Sequence, residues 1–117
     1  MKLIVAGGRD YPLGIEDLQK LSAIEGITEL VSGGAKGVDR DAETWAISEN
    51  IPIKQFKPDW GLYGRAAGPI RNREMAKYAD AVALFPGRRG TASMHEIAIK
   101  ENLTIFDYRD AGQGGHG

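Results

Sequence analysis

The chain has 117 residues, is 42% hydrophobic, carries a formal net charge of -1 and contains no cysteine. That length suits one domain around one core, and the apolar fraction excludes disorder of the whole chain. The near-neutral charge excludes a global electrostatic drive toward nucleic acid, and the missing cysteines exclude disulfides, thiolate metal sites and cysteine nucleophiles.

The N-terminal segment opens with a short apolar run, residues 3–6, closed by Gly7 and Gly8. It reads as a buried strand rather than a signal peptide. After Pro12 and Gly14, Ile15, Leu18, Leu21 and Ile24 recur at helical spacing, with Gly26 as the stop. Residues 27–31 read as a second strand, ended by Ser32, Gly33 and Gly34. Residues 38–50 read as a helix with Val38, Ala42, Trp45 and Ala46 on one face, although Ile47 falls off that stripe. Asp39, Asp41 and Glu43 sit near the positive end of its dipole.

A weaker third strand covers residues 51–56, diluted by Pro52 and Lys54. Residues 57–69 read as a long loop with two prolines, three glycines and Trp60, and loops of that length inside a compact domain are often functional. A helix over 70–78 follows on Ile70, Met75 and Tyr78, then a strand over 81–85 closed by Pro86 and Gly87. A helix over 91–102 carries Met94, Ile97 and Ala98, and residues 103–106 form the last strand. The domain is assigned to residues 1–108 and a flexible tail to 109–117, where the sequence ends AGQGGHG. No stretch approaches the ~20 apolar residues of a membrane span.

Strands and helices alternate, with short apolar strands. This predicts an α/β, Rossmann-like three-layer fold with a parallel sheet of about five strands in the order 3-2-1-4-5. In such a sheet the strand C-terminal ends share one edge, and ligands bind there where the strand order reverses. Three strands end in glycine-rich turns: Gly7-Gly8-Arg9, Gly33-Gly34-Ala35-Lys36-Gly37, and Pro86-Gly87-Arg88-Arg89-Gly90-Thr91. Glycine lets backbone N–H groups approach a ligand, and a following helix N-terminus favours an anion, so phosphate is the expected guest. For any one loop, a tight turn with no ligand is an equally good explanation. Three on one edge favour the site. No loop carries the Gly-Lys-Ser/Thr of a P-loop, and none gives G-x-G-x-x-G after the first strand.

Seven of the eight arginines lie in or beside these glycine turns or the long loop at 57–69: Arg9, Arg40, Arg65, Arg71, Arg73, Arg88 and Arg89. Their forks match phosphate bidentately. About half are expected instead to pair with Asp10, Asp39, Asp41 or Glu74, because crowded arginines need partners. Asp39 suits either a ribose hydroxyl or its own helix N-terminus. Trp60, with Asp59 and Tyr63, suits either an aromatic lid over a base or an anchor on the core, while Trp45 is assigned to the core. His95 stands alone on a helix and His116 lies in the tail, so a Ser-His-Asp triad or histidine metal site has almost no material. No metal and no cofactor is expected.

Read together, VAGGRDY (5–11), SGGAKGVDRDAETWA (32–46), PDWGLYGRAAGPIRNREM (58–75) and FPGRRGTASM (85–94) resemble the YspA-like, cpYpsA-related branch of the SLOG superfamily. The resemblance spans residues 2 to about 106. It implies a Rossmann-like domain of a kind thought to bind nucleotides or nucleotide-derived signals, related to phosphoribohydrolases that release cytokinin bases and to the DNA-processing protein A fold. The hydrolase relatives carry an Arg-Lys pair where this chain has Arg71-Asn72, so Arg71 agrees and Asn72 departs. Their Pro-Gly-Gly-x-Gly-Thr motif is followed three residues later by a catalytic glutamate. Here Arg88 replaces the second glycine and Met94 stands at the glutamate's place, with Glu96 two residues further on.

The leading expectation is therefore a module that binds, senses or sequesters a nucleotide or nucleotide-derived ligand. Its ligand-binding residues are Gly7, Gly8, Arg9, Gly33, Gly34, Gly37, Asp39, Trp60, Arg71, Asn72, Pro86, Gly87, Arg88, Gly90 and Thr91. The alternative is a nucleotide N-glycosidase of the phosphoribohydrolase kind, with Glu74 or Glu96 as acid/base, although a simple Arg71–Glu74 ion pair is the favoured role of Glu74. Single-stranded nucleic acid binding is a second alternative, disfavoured by the charge. The expected location is the cytoplasm, with no membrane partner, and a homo-oligomer is left open.

Overall fold

The computed structural model describes residues 1–109. Its elements in chain order are β1 (Lys2–Ala6), α1 (Ile15–Ala23), β2 (Glu29–Ser32), α2 (Val38–Ser48), β3 (Ile53–Gln55), α3 (Trp60–Tyr63), a 3-10 turn (Gly64–Ala66), α4 (Ala67–Tyr78), β4 (Ala81–Leu84), α5 (Arg89–Lys100) and β5 (Thr104–Asp107). The strands form one sheet in the order β3-β2-β1-β4-β5, every pair parallel. The expected order 3-2-1-4-5 is the observed one.

The two-residue period of a strand builds the layers. Leu3 and Val5 face one way, Ile4 the other. Leu3, Val5, Leu30, Ala81, Ala83 and Phe85 pack with Leu21 of α1 and Val38, Ala42, Trp45 and Ala46 of α2. On the opposite face Ile4, Val31, Val82 and Leu84 pack with Met75 of α4 and Met94 and Ala98 of α5. Trp45 is buried as expected, and its indole N–H donates to Ser22 Oγ at 3.0 Å. β1 pairs with both β2 and β4, so the chain leaves β1 to one side, returns across it after β3, and reverses direction between β1 and β4. That reversal is the switch point at which open parallel sheets leave a crevice.

Most boundaries shift by one to three residues, and two differences change the picture. β3 shrinks to three residues, and Pro52 contributes only its carbonyl, accepting from Leu30 N–H at 2.9 Å. The larger correction concerns residues 57–69, which are not a loop: they fold into α3, the 3-10 turn and the first turn of α4. Asp59 starts this run by accepting a hydrogen bond from Leu62 N–H at 3.0 Å. Pro69 is no obstacle because it lies in the first turn of α4, where a missing N–H goes unnoticed. α2 and α5 end where expected in outline, each run out through an asparagine with φ 58°, Asn50 and Asn102. Of the expected tail, only Arg109 is among the described residues, and it bonds to Asp107 and to His95 Nδ1.

Candidate functional site

The parallel sheet brings the turns after β1, β2 and β4 to one edge, and there they touch backbone to backbone. Gly8 N–H donates to Pro86 O at 2.8 Å, and Gly8 O accepts from Val38 N–H at 3.3 Å. These contacts leave no room for side chains. A methyl at Gly87 would stand 2.0 Å from Thr91 Oγ1 and 2.9 Å from Gly8 N. A methyl at Gly37 would stand 2.5 Å from both Gly8 O and Arg9 O, and Gly37 also holds φ 79°, ψ -128°. The glycines therefore do more than turn the chain, since they let three loops close on one another.

The N-terminus of α5 opens onto this edge. Its first intrahelical bond runs from Ala92 N–H to Arg88 O, and no side chain caps it. The N–H groups of Arg89, Gly90 and Thr91 precede that bond and point out of the helix end, where the dipole is positive. Gly87, Arg88 and Gly90 are exposed, and Thr91 is buried beneath them. A methyl on Gly90 would meet nothing within 4 Å.

Arg71 lies in the second turn of α4. Its Nη1 donates to Gly33 O at 3.0 Å and, more weakly, to Phe56 O at 3.4 Å, and its Nε donates to Asn72 Oδ1 at 2.9 Å. A methyl at Gly33 would stand 2.5 Å from Arg71 Nη1 and 3.0 Å from Asp39 Oδ2. The place of a side chain at Gly33 is thus taken by a guanidinium and a carboxylate. Asp39 Oδ2 accepts from Ala35 N–H at 3.2 Å. Burial pushes the Asp39 carboxyl up to about 6, with a smaller upward push from Glu43, against the pull of the Ala35 hydrogen bond and of Arg71. Burial also lowers the Arg71 guanidinium, and the charge of Asp39 opposes that. For both groups the loss of water outweighs the neighbour.

Several expectations need correction. Arg71 forms no ion pair with Glu74, which is exposed, because its donors turn inward to Gly33, Phe56 and Asn72. Among the described residues none of the seven loop arginines comes within ion-pair distance of a carboxylate. The crowding that was expected to force pairing does not arise, since Arg9, Arg40, Arg65, Arg73, Arg88 and Arg89 all reach solvent. Glu96 is likewise exposed, on α5. Trp60 is 58% exposed and is not an anchor on the core. His95 lies on α5, where its Nδ1 meets Arg109. Two contributors were not assigned to the site from the sequence: Ser32, buried, whose Oγ accepts from Gly34 N–H at 3.1 Å, and the Phe56 carbonyl. A serine before a glycine pair is a recognisable turn signal. A carbonyl leaves no trace in sequence.

Because Arg71 ties the β2–α2 turn to α4, Arg71→Lys is expected to lower the melting temperature. One ammonium cannot span Gly33, Phe56 and Asn72, and the loss should be about 1–2 kcal/mol. A chemical-denaturation curve matching the native one would show the fork to be dispensable.

A parallel five-stranded sheet with glycine turns converging on an open helix N-terminus at its switch point defines a Rossmann-like α/β domain. Residues 1–63 match the model of the YspA, cpYpsA-related SLOG family, and the chain belongs to that family. It is 32% identical over 89 residues to the Gene 61 protein of Mycobacterium phage D29, covering 69% of this chain and 71% of that protein. Its fold is similar to that of DNA processing protein A (DprA) from Streptococcus pneumoniae, with a TM-score of 0.70 and 20% identity over 91% of this chain and 49% of that one. This chain spans about half the length of the DprA chain, and the likeness is one of fold. Among the described residues no helix is long and apolar enough to cross a membrane, and no group of three or more His, Cys, Asp or Glu side chains converges as a metal site would require.

Proposed function

We propose that the chain binds a nucleotide or nucleotide-derived ligand at the glycine-loop edge, to sense or sequester it. We place it in the cytoplasm, the reducing compartment that a cysteine-free chain suits. The observation that carries the reading is the uncapped start of α5, held open between Gly8, Gly87 and Thr91. Three free N–H groups and a helix dipole are a seat for phosphate. Arg88 and Arg89 flank it as exposed cations, and Arg71 keeps its Nη2 donors free of any acceptor among the described residues. Asp39, a poor neighbour for a phosphate, suits the sugar hydroxyls.

Gly90→Asp tests the seat. The position is open, so the domain should keep its melting temperature, and an acidic residue in the first helical turn adds about 0.3–1 kcal/mol. The carboxylate would occupy the anion seat and lower nucleotide affinity by at least about tenfold. Affinity equal to that of the native chain would remove the seat from consideration. The native protein should gain ~2.7 kcal/mol of stability from a nucleotide at a hundred times its Kd, readable as a thermal shift across a nucleotide panel.

A second reading, cleavage of the N-glycosidic bond, has one observation in its favour. Asp39, not Glu74 or Glu96, is the carboxylate held at the edge and raised to about 6, near the range of a general acid/base. Free base released from nucleoside monophosphates, and lost in Asp39→Asn, would establish it.

A further inference from the structure

The C-terminal edge carries a second feature outside the phosphate seat. α3 leads from β3 toward α4 and exposes Trp60 (58%), Leu62 (68%) and Tyr63 (46%) on a single turn of helix. Exposed large hydrophobics elsewhere are isolated isoleucines, at Ile15, Ile47 and Ile99. Trp60 and Tyr63 are three residues apart and share a side of the turn. The far edge of the indole lies over Gly68, where a methyl would stand 3.7 Å from Trp60 Cη2. Gly68 and Arg71 are also three apart, on the same side of α4 and about 4.5 Å along its axis. A continuous path therefore runs from the Gly33 turn, through Arg71, to Gly68 and the indole. The neighbours leave the ring open: a methyl at Gly61 would meet only Asp59 Oδ1, at 3.7 Å, and one at Gly64 would meet nothing within 4 Å.

We propose that Trp60, with Tyr63 beside it, is the stacking platform for the base of the ligand whose phosphate occupies the glycine-loop edge. The ligand class is then a base-bearing nucleotide rather than a sugar phosphate or free phosphate. This rests on the proposed phosphate seat and extends it to the other end of the ligand. A flat, half-exposed indole is a π-face that any base can cover, and stacking on an aromatic side chain is worth enough to change affinity about tenfold or more. The binding area of a whole protein partner is not needed to explain three residues on one turn.

The test compares two probes in a calorimeter: the four common nucleoside 5′-monophosphates and ribose 5-phosphate. Trp60→Ala is expected to weaken the best monophosphate at least about tenfold and to leave ribose 5-phosphate within about twofold, while Trp60→Phe retains most of the affinity. Native fluorescence should be quenched by the monophosphate and not by ribose 5-phosphate. The responsive emission is that of Trp60, because Trp45 is buried at 6% exposure. A melting curve of Trp60→Ala close to the native one confirms that an exposed side chain was removed without harm to the fold. Equal losses for both probes would make Trp60 a support for the α3–α4 segment, and no loss for either would remove it from the site. Both results overturn the platform while leaving the phosphate seat standing. If neither probe binds the native protein, both readings fall. If a ten-nucleotide single strand binds more tightly than any monophosphate, the patch belongs to a polymer instead.

Discussion

Gly37→Ala is expected to cost the domain roughly 3–5 kcal/mol, a large share of the 5–15 kcal/mol typical of small domains. Two independent effects add. The backbone at Gly37 holds φ 79° and ψ -128°, a region close to glycine-only, and strain there costs about 1–3 kcal/mol. The added methyl also meets two backbone carbonyls, those of Gly8 and Arg9, at 2.5 Å. Carbonyls cannot swing aside as a flexible side chain can. The β1–α1 turn would have to separate from the start of α2, breaking the Val38 N–H to Gly8 O bond. Gly26→Ala supplies the control, since Gly26 has φ 80° but nothing within 4 Å of an added methyl. It should cost only the left-handed strain, about 1–2 kcal/mol. Urea midpoints measured side by side would decide the matter, and equal shifts for the two variants would refute the crowding argument.

Asp39→Asn is expected to act in the opposite direction at neutral pH, raising stability by about 2 kcal/mol, or roughly 10 °C in melting temperature. The Asp39 carboxyl is held at about 6 in the folded chain, against about 3.9 for an unfolded aspartate. The folded state therefore binds the proton more tightly than the unfolded one. The neutral carboxyl is comfortable below about pH 4. As pH rises from about 4 to about 6 the native protein loses up to about 3 kcal/mol from this group, and above 6 the penalty is complete. Asparagine resembles the neutral acid and keeps an acceptor for Ala35 N–H, so it escapes the loss. Melting curves of the two proteins should coincide near pH 4 and diverge by pH 7.5. A gap that does not change with pH, or a less stable variant at pH 7.5, would mean that Arg71 stabilises the carboxylate more than burial opposes it.

Strand periodicity explains why so much of this architecture is legible in one sequence. Short apolar runs closed by Gly-Gly or Pro-Gly, separated by helix-spaced apolar residues, admit few arrangements other than a parallel sheet with its turns on one edge. The parallel sheet, the glycine turns at its strand ends and the burial of Trp45 follow from patterns two to four residues long, and the observed order 3-2-1-4-5 is one of the few that such an alternation admits. The segment at 57–69 was not legible because its prolines and glycines signal a break. The cap that starts a helix there, Asp59 onto Leu62, is a single local hydrogen bond. Tertiary structure alone decided the partners of Arg71. Position in sequence favoured Glu74 one turn away, but the guanidinium reaches the carbonyl of Gly33, 38 residues earlier. The same holds for Asp39, whose carboxyl rises because the tertiary fold buries it away from water. Local pattern records which face of an element is buried. It does not record which polar groups from distant elements meet in the same few ångströms, and it is there, around Gly33, that the character of the candidate site is set.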